Sequence, residues 1–363
     1  MSKVYFFDYG KGKDYIAGIK SLYKEAELGI LVPNGGSVAV KTHLGEMGST
    51  GYIKPPLVRT VVDLIKAQGG NPFVTDTTVV YPGGRGTPEK YLETAAYNGF
   101  VEQTVGAPVV IADENRDRGI RVVIEKRVGR CELKEAKVAS RIFHADVLAV
   151  LTHVKGHGIV GIGGCIKNVG MGCVIKETKI AQHMDNPPMF DESKCTLCGV
   201  CASLCPENAI VIEDDVLNYD PRKCVFCGCC VQDCPVQAWD VIGEGNNRVQ
   251  ENVAHVANAV LEEFRGRMFF FNFVHDVTPY CDCTIPCGRP LIKDVGILAS
   301  TDPVAIDKAS FDLVNKAPRF PHPKGKEHPE NLFEAIHKTD PLNHIRIAGE
   351  LGSGSMEYEL VRV

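Results

Sequence analysis

Short runs of β-branched and aromatic residues alternate with amphipathic stretches along most of the chain. This pattern predicts an α/β fold with a mostly parallel sheet and helices on both faces. The candidate strands are 4–8, 37–42, 72–76, 109–112, 121–125, 146–152, 268–274, 295–299 and 356–363. The candidate helices are 14–28, 55–68, 88–98, 252–265, 303–315 and 329–338. Four of these helices begin at a proline, which the first helical turn tolerates: Pro55, Pro88, Pro303 and Pro329.

The alternating pattern is interrupted near the middle of the chain. Turn residues Pro187 and Pro188 precede the interruption, and a glycine- and asparagine-rich stretch follows it. We therefore divide the chain into a first α/β part at 1–186, an inserted domain at 187–247 and a second α/β part at 248–363. Two separate α/β domains are the alternative, but the last part has too few strands for an independent sheet.

Composition and charge narrow the class of protein. Of the 363 residues, 44% are hydrophobic and 23% charged, which is the balance of a globular chain. No apolar run is long enough to cross a bilayer, and the first residues lack a secretory leader, so we expect a cytoplasmic location. A net charge of −5 argues against nucleic acid and anionic membranes as partners. The unusual feature is a total of 15 cysteines, which in a cytosolic chain indicates metal binding or catalysis.

Eight of these cysteines fall in two runs inside the insert. The first run contains Cys195, Cys198, Cys201 and Cys205, and the second contains Cys224, Cys227, Cys230 and Cys234. Each run ends in Cys-Pro, and the four cysteines and the proline of the first run each match a like residue 29 positions later in the second. The spacing resembles that of bacterial two-cluster ferredoxins, which are small α+β domains.

The ferredoxin resemblance implies two [4Fe–4S] clusters. Cluster one would take Cys195, Cys198, Cys201 and Cys234, and cluster two would take Cys224, Cys227, Cys230 and Cys205. Zinc is the alternative, although zinc ribbons do not usually carry a third thiolate and a Cys-Pro in each half. Cys229 replaces Val200 of the first run, so we interpret it as a non-ligand. Residues 191–241 contain nine acidic and three basic residues, and this charge would suit a basic redox partner or simply a solvated surface.

Outside the insert, two strand ends carry candidate chemistry. Lys41 and His43 follow one strand, and His153, Lys155 and His157 follow another. Ligands of parallel α/β sheets bind beyond the carboxyl ends of strands, so these residues are expected to line a site. We predict that Lys41, Lys155 and Lys167 hold an anionic small molecule, and that His43, His153 or His157 supplies protons.

A glycine-rich stretch follows the second of these strands. Gly161, Gly163, Gly164 and Asn168 could expose backbone amides to a phosphate or carboxylate of a bound cofactor. The stretch fits neither a Walker loop nor a Rossmann fingerprint, so no nucleotide follows from it. The alternative is that these glycines are simply flexible or closely packed.

Three further cysteines, Cys281, Cys283 and Cys287, lie within seven residues of each other. They indicate a third metal or redox site, holding zinc or a third cluster with one open position, rather than inert buried thiols. Candidates for that open position are Cys165, Cys173, His275 or a substrate. The CxC spacing also suits persulfide or disulfide exchange.

Several other residues receive ordinary interpretations. Asp302 is a helix N-cap, and Arg85 follows a strand in a loop where it could hold an anion. His144, His255 and His337 are interpreted as ordinary surface or core residues, and His322 and His328 are weak metal candidates in an exposed loop.

Four motifs together resemble a known family. KTHLGE at 41–46, the stretch 152–173, CDC at 281–283 and GILASTDPVAID at 296–307 are similar to domain of unknown function 362, in its form with an inserted two-cluster ferredoxin. The resemblance implies an iron–sulfur protein in which a small α+β ferredoxin-like domain interrupts the α/β fold. It implies no substrate and no mechanism.

The leading hypothesis is an anaerobic, cytoplasmic oxidoreductase. Its two [4Fe–4S] clusters would pass electrons between a redox partner protein, either a ferredoxin or an oxidoreductase subunit, and an anionic small molecule on the α/β domain. One alternative is an electron-carrier subunit of a larger redox complex. The other is a sulfur- or metal-handling factor that uses the CxCxxxC thiols.

Overall fold

A sheet of eight strands forms the centre of the computed structural model, which describes residues 1–11, 14–114, 117–184, 187–241, 244–320 and 330–363. The strands in chain order are β1 (Ser2–Asp8), β2 (Ser37–Lys41), β3 (Asn71–Asp76), β4 (Val109–Ile111), β5 (Ile120–Val123), β6 (Glu135–Val138), β7 (Val147–His153), β8 (Lys155–His157), β9 (Gly161–Gly163), β10 (Met189–Phe190), β11 (Ile210–Glu213), β12 (Val216–Tyr219), β13 (Trp239–Asp240), β14 (Met268–Val274), β15 (Gly296–Ser300) and β16 (Tyr358–Arg362).

The α-helices surround this sheet and the smaller hairpins. In chain order they are α1 (Tyr15–Glu25), α2 (Pro55–Ala67), α3 (Pro88–Tyr97), α4 (Glu102–Val105), α5 (Ser140–Phe143), α6 (Cys165–Gly172), α7 (Lys176–His183), α8 (Val200–Leu204), α9 (Cys229–Gln232), α10 (Glu244–Glu263), α11 (Pro303–Lys316), α12 (Leu332–His337) and α13 (Asn343–Leu351). Short 3-10 helices cover Tyr9–Lys11, Leu28–Leu31, Glu192–Lys194 and Pro221–Lys223. None of the helices in the described ranges combines the length and apolar character needed to cross a membrane.

The order of the central sheet is β16-β1-β15-β14-β7-β2-β3-β4. Neighbouring strands are parallel except where β15 pairs with β1 and β14. The predicted α/β fold with a mostly parallel sheet is therefore confirmed. This one sheet contains strands from both sides of the segment 187–241 in the chain. The later strand β14 pairs with the earlier strand β7, and the later strand β15 lies between β14 and the earlier strand β1.

The two faces of the sheet are buried in two separate apolar cores. Along β7, Leu148 and Val150 enter one core, whereas Ala149 and Leu151 enter the other. This alternation follows from the two-residue period of a strand, and burial on both faces explains why the strand reads as a continuous apolar run.

Three helices begin at the prolines that predicted their first turns. Pro55, Pro88 and Pro303 occupy the first turns of α2, α3 and α11. Asp302 caps α11 as predicted, since its Oδ1 accepts from the backbone N–H of Val304 and Ala305 at 2.9 and 2.8 Å. Pro329, at the predicted start of the next helix, lies outside the described residues, as do His322 and His328.

The glycine-rich stretch, for which no strand or helix was predicted, forms β9 and then α6. Its glycines disfavour a helix on propensity alone. Packing overrides that preference: a Cβ on Gly170 would lie 2.6 Å from the carbonyl oxygen of Val253 in α10. The absence of a side chain therefore lets α6 approach α10 closely. The helices α7 and α13 and the pairing of β5 with β6 outside the central sheet were also not predicted.

The segment 187–241 contains two small antiparallel sheets of two strands each, β10 with β13 and β11 with β12. Its own apolar core includes Cys201, Ile210, Cys230 and Trp239. The N-terminal strand β10 pairs with the C-terminal strand β13, so the segment begins and ends at the same place.

Candidate functional site

The carboxyl ends of the parallel strands β2, β3, β7 and β14 meet at one edge of the sheet. Lys41 ends β2, Asp76 ends β3 and His153 ends β7. The loop that follows β14 carries His275 and the cysteine motif 281–287 to the same edge, because Phe273 of β14 pairs with His153. The topology therefore gathers most of the residues singled out in the sequence.

Lys41 is almost fully buried and is held by two side chains. Its Nζ lies 3.0 Å from Oδ1 of Asp76 and donates to Oδ1 of Asn168 at 2.6 Å. Burial opposes ionisation of Asp76, but Lys41 and other nearby cations outweigh it and hold the pKa of Asp76 well below its usual value. The ammonium of Lys41 is therefore committed to a buried ion pair.

Arg85 forms a second buried network at this edge. Its Nε donates to Oε2 of Glu46 at 2.7 Å, and it also hydrogen-bonds to the hydroxyl of Tyr81. A third N–H faces Nε2 of His43 at 2.8 Å, and the backbone N–H of Gly45 faces Nδ1 of that ring at 3.0 Å. Burial and the charge of Arg85 hold the pKa of His43 well below its usual value, so this imidazole is neutral.

The ring of His153 is surrounded by oxygen atoms, whereas the ring of His43 is surrounded by N–H groups. The Nδ1 of His153 lies 2.8 Å from Oδ1 of Asp282, and its Nε2 lies 2.8 Å from the carbonyl oxygen of His275. Both ring nitrogens therefore face oxygen acceptors.

Lys155 completes this buried group, since its Nζ lies 3.3 Å from Asp282 and donates to the carbonyl oxygen of His153 at 2.7 Å. Asp282 has no solvent exposure. Burial opposes its ionisation, yet His153 and Lys155 outweigh that cost and hold its pKa well below the usual value. The same carboxylate raises the pKa of Lys155 against the effect of burial. Asp282 thus ties the cysteine loop to the end of β7.

Cys281 and Cys283 flank Asp282 and contact each other. The backbone N–H of Thr284 donates to the carbonyl oxygen of Cys281 at 2.8 Å, which closes a tight turn around the pair. The Cys283 thiol hydrogen-bonds to the Cys281 sulfur and lowers the pKa of Cys281 well below its usual value; Lys167 and Lys155 act in the same direction. The pKa of Cys283 is correspondingly raised.

Lys167 lies on α6, half-buried, and within the described residues no side chain or carbonyl is bonded to its ammonium. Its charge reaches the sulfurs of both Cys281 and Cys283. Burial and the charge of Lys167 also hold the pKa of His157 well below its usual value, so His157 is neutral. Of the three lysines predicted to hold an anion, Lys167 is the one whose ammonium is free.

The glycines predicted to bind an anion are packed against other residues. At the start of α6, the N–H groups of Cys165 and Ile166 donate to the carboxylate of Asp307 at 2.7 and 2.9 Å. A Cβ on Gly164 would lie 2.4 Å from that carboxylate, and one on Gly161 would lie 2.6 Å from Pro341. Gly163 has more room, with its nearest neighbour at 3.4 Å. Close packing, the alternative weighed above, accounts for Gly161 and Gly164, and Asn168 serves to hold Lys41.

The third metal site at Cys281, Cys283 and Cys287 stays a prediction. Cys287 packs beside Gly51 and Asp282, and Cys165 donates to the carbonyl oxygen of Pro303. Burial raises the pKa of Cys173 to about 12 and lowers that of His275 to about 3. Throughout the part of the chain that the structure describes, no three His, Cys, Asp or Glu side chains are close enough to hold a single metal ion, and this is as true of the eight cysteines in the segment 187–241 as of Cys281, Cys283 and Cys287.

A second candidate region lies in the segment 187–241. One hollow there is lined by four cysteines, three from the first run and one from the second: Cys195, Cys198, Cys201 and Cys234. Cysteines of both runs lie near Cys230, since Cys227, Cys224, Cys201 and Cys205 all act on its pKa, which burial raises to about 12.

The two cysteine runs repeat each other in geometry as well as in sequence. Leu197 and Phe226 have φ values of 53° and 54°, and each donates its backbone N–H to the cysteine two residues earlier at 3.4 Å. The N–H groups of Ala209 and Ala238 donate to Cys205 and Cys234 at 3.2 Å. Equivalent positions thus aim N–H groups at sulfur in both halves.

A comparison with known protein families identifies the family of this chain. Residues 38–312 match the family described as Domain of unknown function (DUF362). The chain belongs to this family. The motifs at 41–46, 152–173, 281–283 and 296–307 therefore identified the family correctly, whereas the inserted ferredoxin-like domain stays a prediction. No curated protein matches the chain.

Solved structures add only distant likenesses. The lactate racemase apoprotein from Thermoanaerobacterium thermosaccharolyticum is 10% identical with a TM-score of 0.37, and the match covers 76% of this chain and 51% of that one. A structural-genomics protein from Thermotoga maritima is 11% identical with a TM-score of 0.36, covering 70% of this chain and 49% of that one. The chain thus spans about half the length of either structure.

Sequence reasoning did not assign Asp76, Asp282 or Lys179 to the site. Asp76 ends a strand and Asp282 lies between two cysteines, so position alone could have indicated both. Lys179 lies in the unpredicted helix α7, and its buried Nζ donates to Oγ1 of Thr77 at 2.8 Å and to the carbonyl oxygen of Thr78. No sequence signal distinguishes it from a surface lysine.

Proposed function

We propose that this chain is an iron–sulfur oxidoreductase whose insert at 187–247 is a ferredoxin-like domain with two [4Fe–4S] clusters. The proposal rests on one observation above all: the hollow lined by Cys195, Cys198, Cys201 and Cys234. Three thiols from one run and the fourth from the other form the ligand set that the ferredoxin resemblance implies. The remaining set, Cys224, Cys227, Cys230 and Cys205, would hold the second cluster by the same resemblance.

The residues present fit such clusters. Thiolates are the ligands of cubane iron, and backbone N–H groups directed at the sulfurs stabilise their negative charge. Leu197, Phe226, Ala209 and Ala238 provide these N–H groups. The clusters, when bound, would supply one-electron transfer.

The small-molecule site of this proposal is the edge where Lys167, Cys281 and Cys283 meet. Lys167 would hold a negative group of the substrate, because its ammonium is half-buried and unpaired within the described residues. Lys41 and Lys155 would contribute to the electrostatic potential of the site rather than contact the substrate, because they are already paired with Asp76 and Asp282. His43 and His157 are neutral and could accept a proton.

The test is an iron and sulfide count on protein purified without oxygen. We expect about eight iron atoms per chain, because each cubane contains four. Cys198→Ser should remove the cubane held by the first set, which lowers the count to about four. Cys229→Ser is the matched control, since Cys229 lies beside the second set but is not predicted to bind iron.

Zinc in place of iron in the wild-type protein would refute the proposal. Loss of as much iron from Cys229→Ser as from Cys198→Ser would refute the ligand assignment. A count of about twelve would place a third cubane in the chain, with Cys281, Cys283 and Cys287 as its candidate ligands.

A further inference from the structure

We propose that the hydroxyl of Tyr219 donates a hydrogen bond to a sulfur of cluster two and makes cluster two easier to reduce than cluster one. This inference rests on the proposed function, because it concerns the two clusters that the proposed function requires. It deepens that function by giving one side chain a role in electron transfer and by assigning different reduction potentials to the two clusters.

Tyr219 carries a buried donor without an acceptor. The residue ends β12 and packs against the apolar core of the segment, which contains Cys230 and against which Cys205 also packs. Its hydroxyl is enclosed, and among the described residues it has no hydrogen-bond partner. Buried hydroxyl groups in native proteins almost always have a partner, because an unpaired one loses its hydrogen bonds to water. A protonated tyrosine beside thiolates would find its acceptor in a sulfur.

The backbone places Tyr219 between two predicted ligands of cluster two. Along the chain, Tyr219 lies five residues before Cys224. Across the sheet, it pairs with Ile210, and the neighbouring Ala209 donates its N–H to the Cys205 sulfur at 3.2 Å. A cubane held by Cys224 and Cys205 would therefore lie beside the ring of Tyr219.

The first half of the repeat provides a built-in comparison, because the residue 29 positions before Tyr219 is Phe190. Phe190 lies five residues before Cys195 and pairs with β13. Ala238, just before β13, donates its N–H to the Cys234 sulfur at 3.2 Å. Cys195 and Cys234 are predicted ligands of cluster one. At this position the two halves differ by one hydroxyl, which lies on the side of cluster two.

The rings of both residues are held by the same side chain, Trp239. The centroid of the Trp239 ring lies 4.7 Å from that of Phe190 and 5.1 Å from that of Tyr219. These contacts involve the rings rather than the hydroxyl. The substitution Tyr219→Phe therefore keeps the aromatic packing and removes the hydrogen-bond donor alone.

A hydrogen bond to a cluster sulfur favours the reduced state. Reduction adds one electron, and hence one negative charge, to the cubane. A donor at the sulfur stabilises the more negative state more strongly, and such hydrogen bonds are among the factors that set the potentials of iron–sulfur clusters. The hydroxyl keeps its own proton, so each reduction takes up an electron alone. Cluster two is therefore expected to be reduced first.

The test is a redox titration of the anaerobically purified protein with its clusters, followed by electron paramagnetic resonance. Cys198→Ser leaves cluster two to be observed alone, and Cys227→Ser leaves cluster one. In the Cys198→Ser protein, adding Tyr219→Phe should lower the equilibrium constant for reduction by about tenfold, which is about 59 mV for a one-electron couple. In the Cys227→Ser protein the same substitution should leave the potential unchanged.

The reverse substitution, Phe190→Tyr, is the matched variant. In the Cys227→Ser protein it should raise the equilibrium constant for reduction, by up to about tenfold, because it adds a hydroxyl beside cluster one. Val216→Ala is the control on the sheet that contains Tyr219, since the side chain of Val216 is 52% exposed, and it should shift neither potential. With all cysteines retained, Tyr219→Phe should bring the two potentials closer together.

The outcomes separate this inference from the function on which it rests. About eight irons in Tyr219→Phe with an unchanged potential of cluster two would overturn the inference and leave the proposed function in place. Loss of iron from this variant would make Tyr219 a structural residue and would overturn the inference as well. A shift confined to the Cys227→Ser protein would contradict the assignment to cluster two. Wild-type protein without iron would instead end the proposed function, and the inference with it.

Discussion

Buried charges at the carboxyl edge of the sheet come in compensated groups. Asp76 lies against Lys41, and Asp282 lies against Lys155 and His153. Such groups contribute little net stability compared with apolar packing, yet removing one member leaves an uncompensated charge in the interior. Their value here is positional, because they attach the cysteine loop and α6 to the ends of the strands.

Lys179 is a buried cation whose charge is not fully compensated by nearby carboxylates. Burial lowers its pKa to about 8, although Asp113 and Asp76 oppose that effect. The folded state therefore loses this proton before the unfolded state does. Between about pH 8 and about pH 10.4, the unfolded chain binds more protons than the folded one, so this group makes stability rise with pH.

We expect this rise to disappear in Lys179→Met. The stability of the wild-type protein relative to the variant should increase between about pH 8 and about pH 10.4, by up to about 1.4 kcal/mol for each pH unit. Urea unfolding of both proteins across this range measures the difference, and comparison with the variant cancels other groups that titrate there. Parallel pH profiles would mean that Lys179 keeps an ordinary pKa.

At the scale of the element, α6 shows how packing can decide the structure of a glycine-rich stretch. Its first N–H groups are bound by the Asp307 carboxylate rather than by a ligand. Gly164 leaves the space that this carboxylate occupies, and Gly170 lets the helix approach α10. The stretch is thus a tightly fitted helix that presents Lys167 at the site.

The close fit at Gly164 predicts a large difference between two substitutions of the same kind. Gly164→Ala should destabilise the fold by about 1–3 kcal/mol, because the added carbon would press on the Asp307 carboxylate. Gly158→Ala is the control, since a Cβ there meets no atom within 4 Å. It should change the free energy of unfolding by less than about 1 kcal/mol. Urea midpoints compare the two, and equal effects would contradict the packing role.

At the scale of the whole molecule, charge is concentrated in the segment 191–241. Its nine acidic and three basic residues give a net charge of −6, whereas the full chain has −5. The rest of the molecule is therefore nearly neutral, and long-range attraction of a charged partner would act on the segment that carries the eight cysteines.

This asymmetry predicts a salt effect on electron transfer to other proteins. Oxidation of the reduced protein by a basic c-type cytochrome should slow roughly tenfold as ionic strength rises from about 0.01 to about 0.2 M, because salt screens the attraction. Oxidation by the anion ferricyanide should instead become faster, which stopped-flow absorbance would show. The same salt dependence for both oxidants would remove the argument for a basic partner.

The sequence by itself determined the fold class, most strands of the central sheet and the family. Those strands are apolar runs. A run such as 268–274 is apolar on both sides of the strand, which is typical of a strand that is covered on both faces of the sheet. The repeat of the two cysteine runs was equally visible, because its spacing is local. Capping at Asp302 and the proline starts of α2, α3 and α11 were predictable for the same reason.

Only the tertiary structure decided which side chains are free. Lys41, Lys155 and Lys167 look alike in sequence, but Asp76 and Asp282 approach the first two from distant parts of the chain. His43 and His153 end equivalent motifs, yet one ring faces N–H donors and the other faces oxygen acceptors. Charge state and hydrogen bonding depend on neighbours in space, and those neighbours are set by strand order rather than by local pattern.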